Sequence, residues 1–503
     1  MTDELSPSDA RLGGDVTGPQ VITGPQVRAV PRVGRAWRRR AQWAVRGVGP
    51  PTTAIAVPGS DDAVSQRHAR AVIDLALRVG EAMLSTGASA SEVVATVLRL
   101  TGAYGIRSAH VDITFTSITV SIHRGLHDDP LAVLRVIRVR NLDYTRLQNL
   151  QLLVDEIAHP APGEDVLDPE VARDRLADIL SAPHPYRRWL ATGGSALLAV
   201  GVVLLFGAGW LTMLLAALSA VLIDQVQRWL SRLGVAAFFS QAVSAAIPTA
   251  VAVLIFWLLS RGWEIPGIDQ PSLVVIAGII MLLAGLTVMG AAQDAIDGYY
   301  VTAGARGLEV LVLTLGIAVG VTTVLGLAWR FGVPMEISPN LIVRGSPLVV
   351  TLAAAAIGGG FALSTYTGFR ATLLAATVAG GGSVIYQGML AFNLGAGGSV
   401  VLPAAVVGAL AYAAHRVLRV PELAIITAGI VPMLPGLAVY RALFQLMDNT
   451  VLLPNAAAEF VTALSIGLGL ASGVWIGQYA ARRRFGLDLA AQRARSRARG
   501  APR

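Results

Sequence analysis

The chain has 503 residues, 54% of them hydrophobic and only 14% charged, against about 25% charged in an ordinary soluble domain, which argues against a purely soluble protein. Cysteine is absent, so disulfides, thiolate metal sites and cysteine nucleophiles are excluded. The net charge of +8 invites a nucleic-acid reading, but its distribution points elsewhere. Residues 1–186 hold 20 Arg against 21 acids, residues 187–481 hold 12 against 10, and residues 482–503 hold 8 against 1. The excess is a C-terminal tail beside the last apolar segment, where it suits the cytoplasmic side of a membrane and anionic lipid. No nucleic-acid partner is expected.

Residues 1–60 are rich in Pro, Gly and Arg, repeat Thr-Gly-Pro-Gln-Val at 17–21 and 23–27, and show no sustained hydrophobic period. They read as a disordered basic tail with no signal-peptide core, so the N-terminus is expected to stay in the cytoplasm. Trp37, Arg38, Arg39, Arg40, Trp43 and Arg46 suit either an anionic leaflet or solvent.

Residues 61–182 read as a small cytoplasmic α/β module. Val72, Leu75, Ala76, Val79 and Met83 recur at helical spacing until Gly87. A second helix is expected over 90–104, with Ser89 or Ser91 and Glu92 as its start signal. Residues 111–115 and 117–122 alternate as half-buried strands do, 133–139 offers a third, and helices are expected over 145–158 and 169–180. His123, His127, Asp128 and Asp129, or Asp155, Glu156 and His159, could suggest a metal, but neither group has a ligand spacing, and a solvated turn and helix face is the simpler reading. No Walker A loop, nucleophile elbow or dinucleotide fingerprint occurs, so no enzyme activity, cofactor or metal is expected.

From Arg187 the chain becomes long apolar runs of bilayer-spanning length. The expected spans are 189–206, 209–225, 235–259, 272–292 and 307–329, then 346–364, 370–389, 396–415, 421–442 and 456–480. Ten helices result, since lipid offers no partner to open backbone. The fold class is therefore mainly α, a polytopic membrane protein with a first five-helix repeat over 187–330 and a second over 346–480, followed by a basic cytoplasmic tail over 481–503. Most flanking Arg residues fall on one side, with Arg261, Arg330, Arg344 and Arg441 on the other, which places both termini in the cytoplasm.

The two halves share spaced features. Ser244 and Pro248 in the third span match Ser399 and Pro403 in the eighth. Gly285-Leu-Thr-Val288 matches Gly436-Leu-Ala-Val439, with Asp297 and Asp448 each 12 residues on and Glu309 and Glu459 near the next helix start. Five is odd, so the second copy enters from the opposite face, the inverted plan of many secondary transporters with a site between the repeats.

Val431-Pro-Met-Leu-Pro-Gly436 should break or kink the ninth span. A break frees carbonyls and a helix N-terminus for the ammonium and carboxylate of an amino acid, although a packing kink would use the same residues. Candidate substrate contacts are Pro432, Pro435, Gly436, Tyr440, Gly285, Ser244 and Gln387. Asp294, Asp297, Glu309, Asp448 and Glu459 are candidate proton carriers, since acids near the bilayer line cavities, pair or carry protons. Asp224 belongs with these acids. Gln241, Ser383 and Tyr386 could bond a substrate hydroxyl or glue helices.

The stretch Gly80-Glu-Ala-Met-Leu-Ser-Thr-Gly-Ala-Ser89, then Glu92, Tyr104-Gly105, Val111-Asp-Ile-Thr-Phe-Thr-Ser-Ile118 and Arg140-Asn-Leu142, resembles the N-terminal module of the bacterial threonine/serine exporter family. The Pro432–Gly436 break with Tyr440 is similar to the signature of that family's second membrane half. The resemblance covers about residues 65–480. It implies ten membrane helices after a cytoplasmic domain and proton-driven efflux of threonine and serine across the inner membrane. Where family members often have Pro-Gly in the fourth helix, this chain reads Leu283-Ala284-Gly285, so a less kinked first half is expected. Some relatives with separate halves are associated with dicarboxylate export, an alternative that intramembrane cations would favour; Arg306 and Arg441 are the candidates, both expected at interfaces. A membrane-anchored enzyme acting through 61–182 is the other alternative, and homo-oligomer formation stays open.

Overall fold

The computed structural model describes residues 65–122, 130–137, 142–160, 165–268, 270–282, 285–335, 345–447 and 453–499. The N-terminal tail, His123, His127, Asp128, Asp129 and Asp448 lie outside them, as do the side chain of Tyr440 and those beyond Arg484.

The N-terminal α/β module follows its sequence pattern. Helix α1 (Gln66–Ser85) starts at Ser65, whose Oγ accepts from the His68 amide at 3.3 Å. Helix α2 (Ala90–Ala103) starts at Ser89 rather than Ser91, the Ser89 hydroxyl accepting from the Glu92 amide. Strands β1 (Ala109–Thr114), β2 (Ser117–Ile122) and β3 (Leu131–Val136) form an antiparallel meander in that order. Strand β2 alternates so that Ile118, Val120 and Ile122 are buried against the helices. Helices α3 (Tyr144–Ala158) and α4 (Pro169–Ser181) are capped by Asp143 and Asp168. Asp155 pairs with Arg99 at 2.9 Å and Glu156 with Arg175 at 2.6 Å, so these acids form a surface network within the module.

The first membrane half comprises α5 (Arg188–Leu205), α6 (Trp210–Arg232), α7 (Ala237–Ser260), α8 (Ser272–Leu282), α9 (Gly285–Ile296) and α10 (Tyr300–Arg330). The second comprises α11 (Pro347–Ser364), α12 (Phe369–Leu390), α13 (Gly395–Ser399), α14 (Val401–Leu418), α15 (Glu422–Ile430), a 3-10 turn (Val431–Met433), α16 (Gly436–Met447) and α17 (Leu453–Arg499). Nine spans among the described residues are long and apolar enough to cross a membrane, one of them joining α8 and α9 and one joining α13 and α14. The remaining expected span, 421–442, is divided between α15 and α16. The chain is a multi-pass membrane protein.

The halves pack in corresponding ways. Their first helices, α5 and α11, form the most extensive contact, and in each half the third helix lies along the fifth, α7 on α10 and α14 on α17. Backbones touch where a side chain would not fit: a Cβ at Gly194 would lie 2.6 Å from Gly360 O and from Ser364 N.

The module does not close its core alone. The apolar cluster of α1–α3 and the sheet continues into Phe361, Ala362, Ala375, Ala424 and Ala428 of the membrane helices. Its α3 docks on turns whose carbonyls point at it. The Tyr144 amide donates to Thr365 O at 3.2 Å, the Thr145 hydroxyl to Tyr366 O at 2.5 Å, and Gln148 to Arg419 O. Tyr366 and Arg419 both hold positive φ, 55° and 53°, the left-handed conformation that ends a helix sharply.

Candidate functional site

The ninth span breaks for a reason visible in its residues. Pro435 disfavours helical backbone at Leu434, which is extended at φ −61°, ψ 152°. Pro432 lacks an amide donor, so the segment tightens into a 3-10 turn before α16 restarts at Gly436. At the start of α16 the Gly436 amide donates to Leu434 O at 2.7 Å and the Val439 amide to Pro435 O at 2.9 Å, and this terminus carries the positive end of the helix dipole.

This break forms one wall of a cavity of about 760 Å³ between the halves. Residues 431–436 line it without interruption, together with α5, α8, α11, α12 and α17. Most of the wall is apolar, from Leu198 and Val202 to Ile280 and Phe361. Polar groups converge on it from three helices: Ser383, Tyr386 and Gln387 of α12, Arg441 of α16, and Glu459 and Thr462 of α17. A mostly apolar chamber with a few polar groups of both charge signs is the usual form of a small-molecule site. The Gln387 amide lies 3.4 Å from both Thr351 Oγ1 and Ser383 Oγ, so it also ties α12 to α11.

The sequence-derived candidates divide. Pro432, Pro435, Gly436, Gln387 and Glu459 line the cavity, while Ser244, Asp294, Asp297 and Glu309 do not. Gly285 opens α9 beside the cavity-lining Leu286, with 283–284 outside the described residues. Ser244 is fully buried in α7. Asp294 is fully buried and pairs with Arg306 at 3.2 Å, an ion pair that accounts for both charges. Asp224 pairs with Arg228 at 2.8 Å and accepts from Thr192.

Glu309 stands well inside α10, which begins at Tyr300 rather than near 307, so it is not at a helix start. Glu459 is likewise inside α17 rather than at its first turn. Asp297 follows α9 and accepts from the module's Ser91 at 2.6 Å; burial pushes its carboxyl up, against the lowering effect of that bond. Arg441, expected at an interface, lies on the cavity wall. Its signal in the sequence was its place on the helix that restarts at Gly436, a little over one turn on.

Glu92, a helix-start and motif residue in the sequence, faces the membrane half. Gln151 donates to it at 2.5 Å, and Glu422 at the start of α15, itself bonded by Gln478 at 2.6 Å, lies close enough to repel it. Burial first, then Glu422, push the Glu92 carboxyl up, while Gln151, Arg482 and Arg99 oppose the shift.

A broken helix opening on a partly polar cavity between two similarly packed helical halves defines the class, a multi-pass membrane transporter. The family follows from comparison. Residues 74–328 match the family model described as "Putative threonine/serine exporter", and residues 348–480 match "Threonine/Serine exporter, ThrE". The chain belongs to the threonine/serine exporter family. It is 35% identical over 458 residues to a "Probable threonine/serine exporter" of Mycobacterium tuberculosis, covering 89% of this chain and 83% of that one. It is 32% identical over 427 residues to a "Threonine/serine exporter" of Corynebacterium glutamicum, covering 83% and 84%. No solved structure matches.

Proposed function

We propose that the chain exports small hydroxylated amino acids, threonine and serine, across the bacterial inner membrane by proton antiport, with both termini in the cytoplasm. The observation that carries this reading is the presence of one cation and one anion, Arg441 and Glu459, on the wall that the Pro432–Gly436 break opens. A zwitterion needs both: the guanidinium and the α16 amides suit its carboxylate, and the Glu459 carboxylate suits its ammonium. The hydroxyls of Ser383, Tyr386 and Thr462 suit a substrate hydroxyl. The names of the relatives support the same substrates.

Glu459 is the acid best sited to exchange a proton for substrate, because protonation removes the charge that holds the ammonium. Asp294, Asp297, Glu309 and Asp448 stand outside that wall or outside the described residues, and any coupling through them is indirect. Contact with membrane lipid follows from the spans, and no cofactor is invoked.

Dicarboxylate export is the second reading, favoured by Arg441 on the wall. A dicarboxylate brings two negative charges to one guanidinium and meets Glu459 as a like charge, so the zwitterion fits better. Flux of threonine, serine and succinate from proteoliposomes, with and without a pH gradient, tests both. Threonine and serine efflux accelerated by the gradient is expected; succinate efflux without threonine efflux refutes the proposal.

A further inference from the structure

The stretch Gly80–Ser89, which carries much of the family resemblance, does not line the membrane cavity. Glu81, Ser85 and Thr86 from it line a different cavity, a groove of about 820 Å³ at the surface of the cytoplasmic module, with Arg173 and Asp174 on its exposed side. The opposite walls supply Arg135 from β3, Arg146 from α3, and Arg173 and Asp174 from α4. Charges of both signs thus converge from four elements on one chamber, which has an apolar floor at Ile137 and Leu176.

Its guanidiniums are not fully used by the fold. Arg135 holds Glu81 through Nε at 3.2 Å, but its Nη1 is closed to solvent with only a 3.8 Å approach to Asp74. Arg146 gives one nitrogen to Ala182 O at 3.0 Å, while its Nε, also closed off, makes only a 3.4 Å charge contact with Asp143. Arg173 makes no ion pair among the described residues. Buried N–H groups without acceptors are costly, and a planar guanidinium is matched by a carboxylate. Beside them, Glu81 and Asp174 suit an ammonium, and the hydroxyls of Ser85 and Thr86 a third polar group.

We propose that this chamber is a second amino-acid site, which senses the cytoplasmic zwitterion and regulates its export. The identity of the ligand rests on the function proposed above; the site itself does not. The chamber is connected to the transport half through Asp143, which is 2% exposed on its side chain and caps α3 by accepting from the Arg146 amide at 3.0 Å. The other Asp143 oxygen meets His184 Nδ1 at 2.9 Å, and the His184 ring stacks on Tyr366 at 4.0 Å. Tyr366 is the left-handed turn between α11 and α12, two helices that line the membrane cavity. A carboxylate arriving at Arg146 competes with Asp143 for that guanidinium, and so alters the hold of Asp143 on His184 and the turn.

The test is calorimetric titration of the purified full-length protein with L-threonine, in parallel with flux in proteoliposomes. Two classes of site are expected. R441Q weakens the membrane site, and R173A and E81Q, each checked for an unchanged melting midpoint, weaken the module site, in each case by about ten- to a hundredfold, the loss of one charged hydrogen bond. In flux, the module variants are expected to need more internal threonine for half-maximal export. A single class of site, weakened in R441Q and untouched by R173A and E81Q, overturns the inference while leaving threonine export standing. A module site that binds inorganic phosphate but not threonine also overturns it. Module binding retained in a protein that exports no threonine would uphold the site and refute the transport reading.

Discussion

Gly193 and Gly194 are neighbours on α5 and differ in one respect that a single methyl group can read. A Cβ at Gly193 meets nothing within 4 Å, whereas a Cβ at Gly194 meets two backbone atoms of α11, Gly360 O and Ser364 N, each at 2.6 Å. Replacing either glycine by alanine gains about 1 kcal/mol of helix propensity. At 194 that gain is opposed by overpacking, which costs about 1–3 kcal/mol. The upper end applies because the atoms struck belong to backbone and cannot rotate away. The net expectation is a G194A protein less stable than G193A by about 3 kcal/mol, since propensity cancels between the two. Thermal unfolding in detergent, followed by the loss of monodisperse protein, measures the difference. G194A is expected to melt below wild type and G193A at or above it. Equal midpoints for the two variants would refute the close approach of α5 to α11, and with it the packing of the halves through their first helices.

Other consequences are as direct. E92Q should stabilise the docked module at neutral pH: a carboxyl whose pKa is raised on folding favours the folded state below its ordinary pKa of 4.5, and that advantage is lost as pH rises towards the raised value. The melting midpoint of wild type should therefore fall over that interval, and the E92Q profile should be flatter; parallel profiles would count against a desolvated Glu92. Tyr144 is 1% exposed and packs on Phe361 with ring centroids 6.5 Å apart, so Y144A should cost about 3–5 kcal/mol, as for other large aromatic truncations, and be seen as increased proteolysis of the module. In the membrane cavity, R441Q should raise the threonine KM by about ten- to a hundredfold, and E459Q should abolish the acceleration by a pH gradient while leaving exchange measurable; unaltered coupling in E459Q would move the proton elsewhere.

Much of this was legible because period and length are local properties. The 3.6-residue pattern from Val72 to Met83, the alternation of Ser117–Ile122 and the apolar runs after Arg187 each sit in one stretch of chain, and each became helix or strand as it suggested, although the runs over 272–292, 396–415 and 421–442 are divided between helices. The break at Pro432–Gly436 was legible for the same reason, since proline acts on its own neighbours. What could not be read was which polar residues share a wall. Glu459 and Asp294 look alike in sequence, an acid beside an apolar run, yet one faces the cavity and the other is neutralised by Arg306. Arg441 was assigned to an interface by counting charges per side, a rule that describes loops and misses a cation carried inward on a re-started helix. Glu309 and Glu459 lie inside their helices rather than at the starts because helices run on beyond their apolar portion.

The shared core between module and membrane helices also bears on how the protein is made. Helices α1–α3 are synthesised well before Phe361, Ala362, Ala375, Ala424 and Ala428, the residues that complete their apolar cluster. The nascent module therefore waits at the ribosome exit with part of its docking face uncovered while most of the spans are inserted, a condition that favours chaperone contact and disfavours early compaction. Production of the module alone would leave that face permanently open, whereas co-expression with the membrane half as a separate chain gives it a surface to close on.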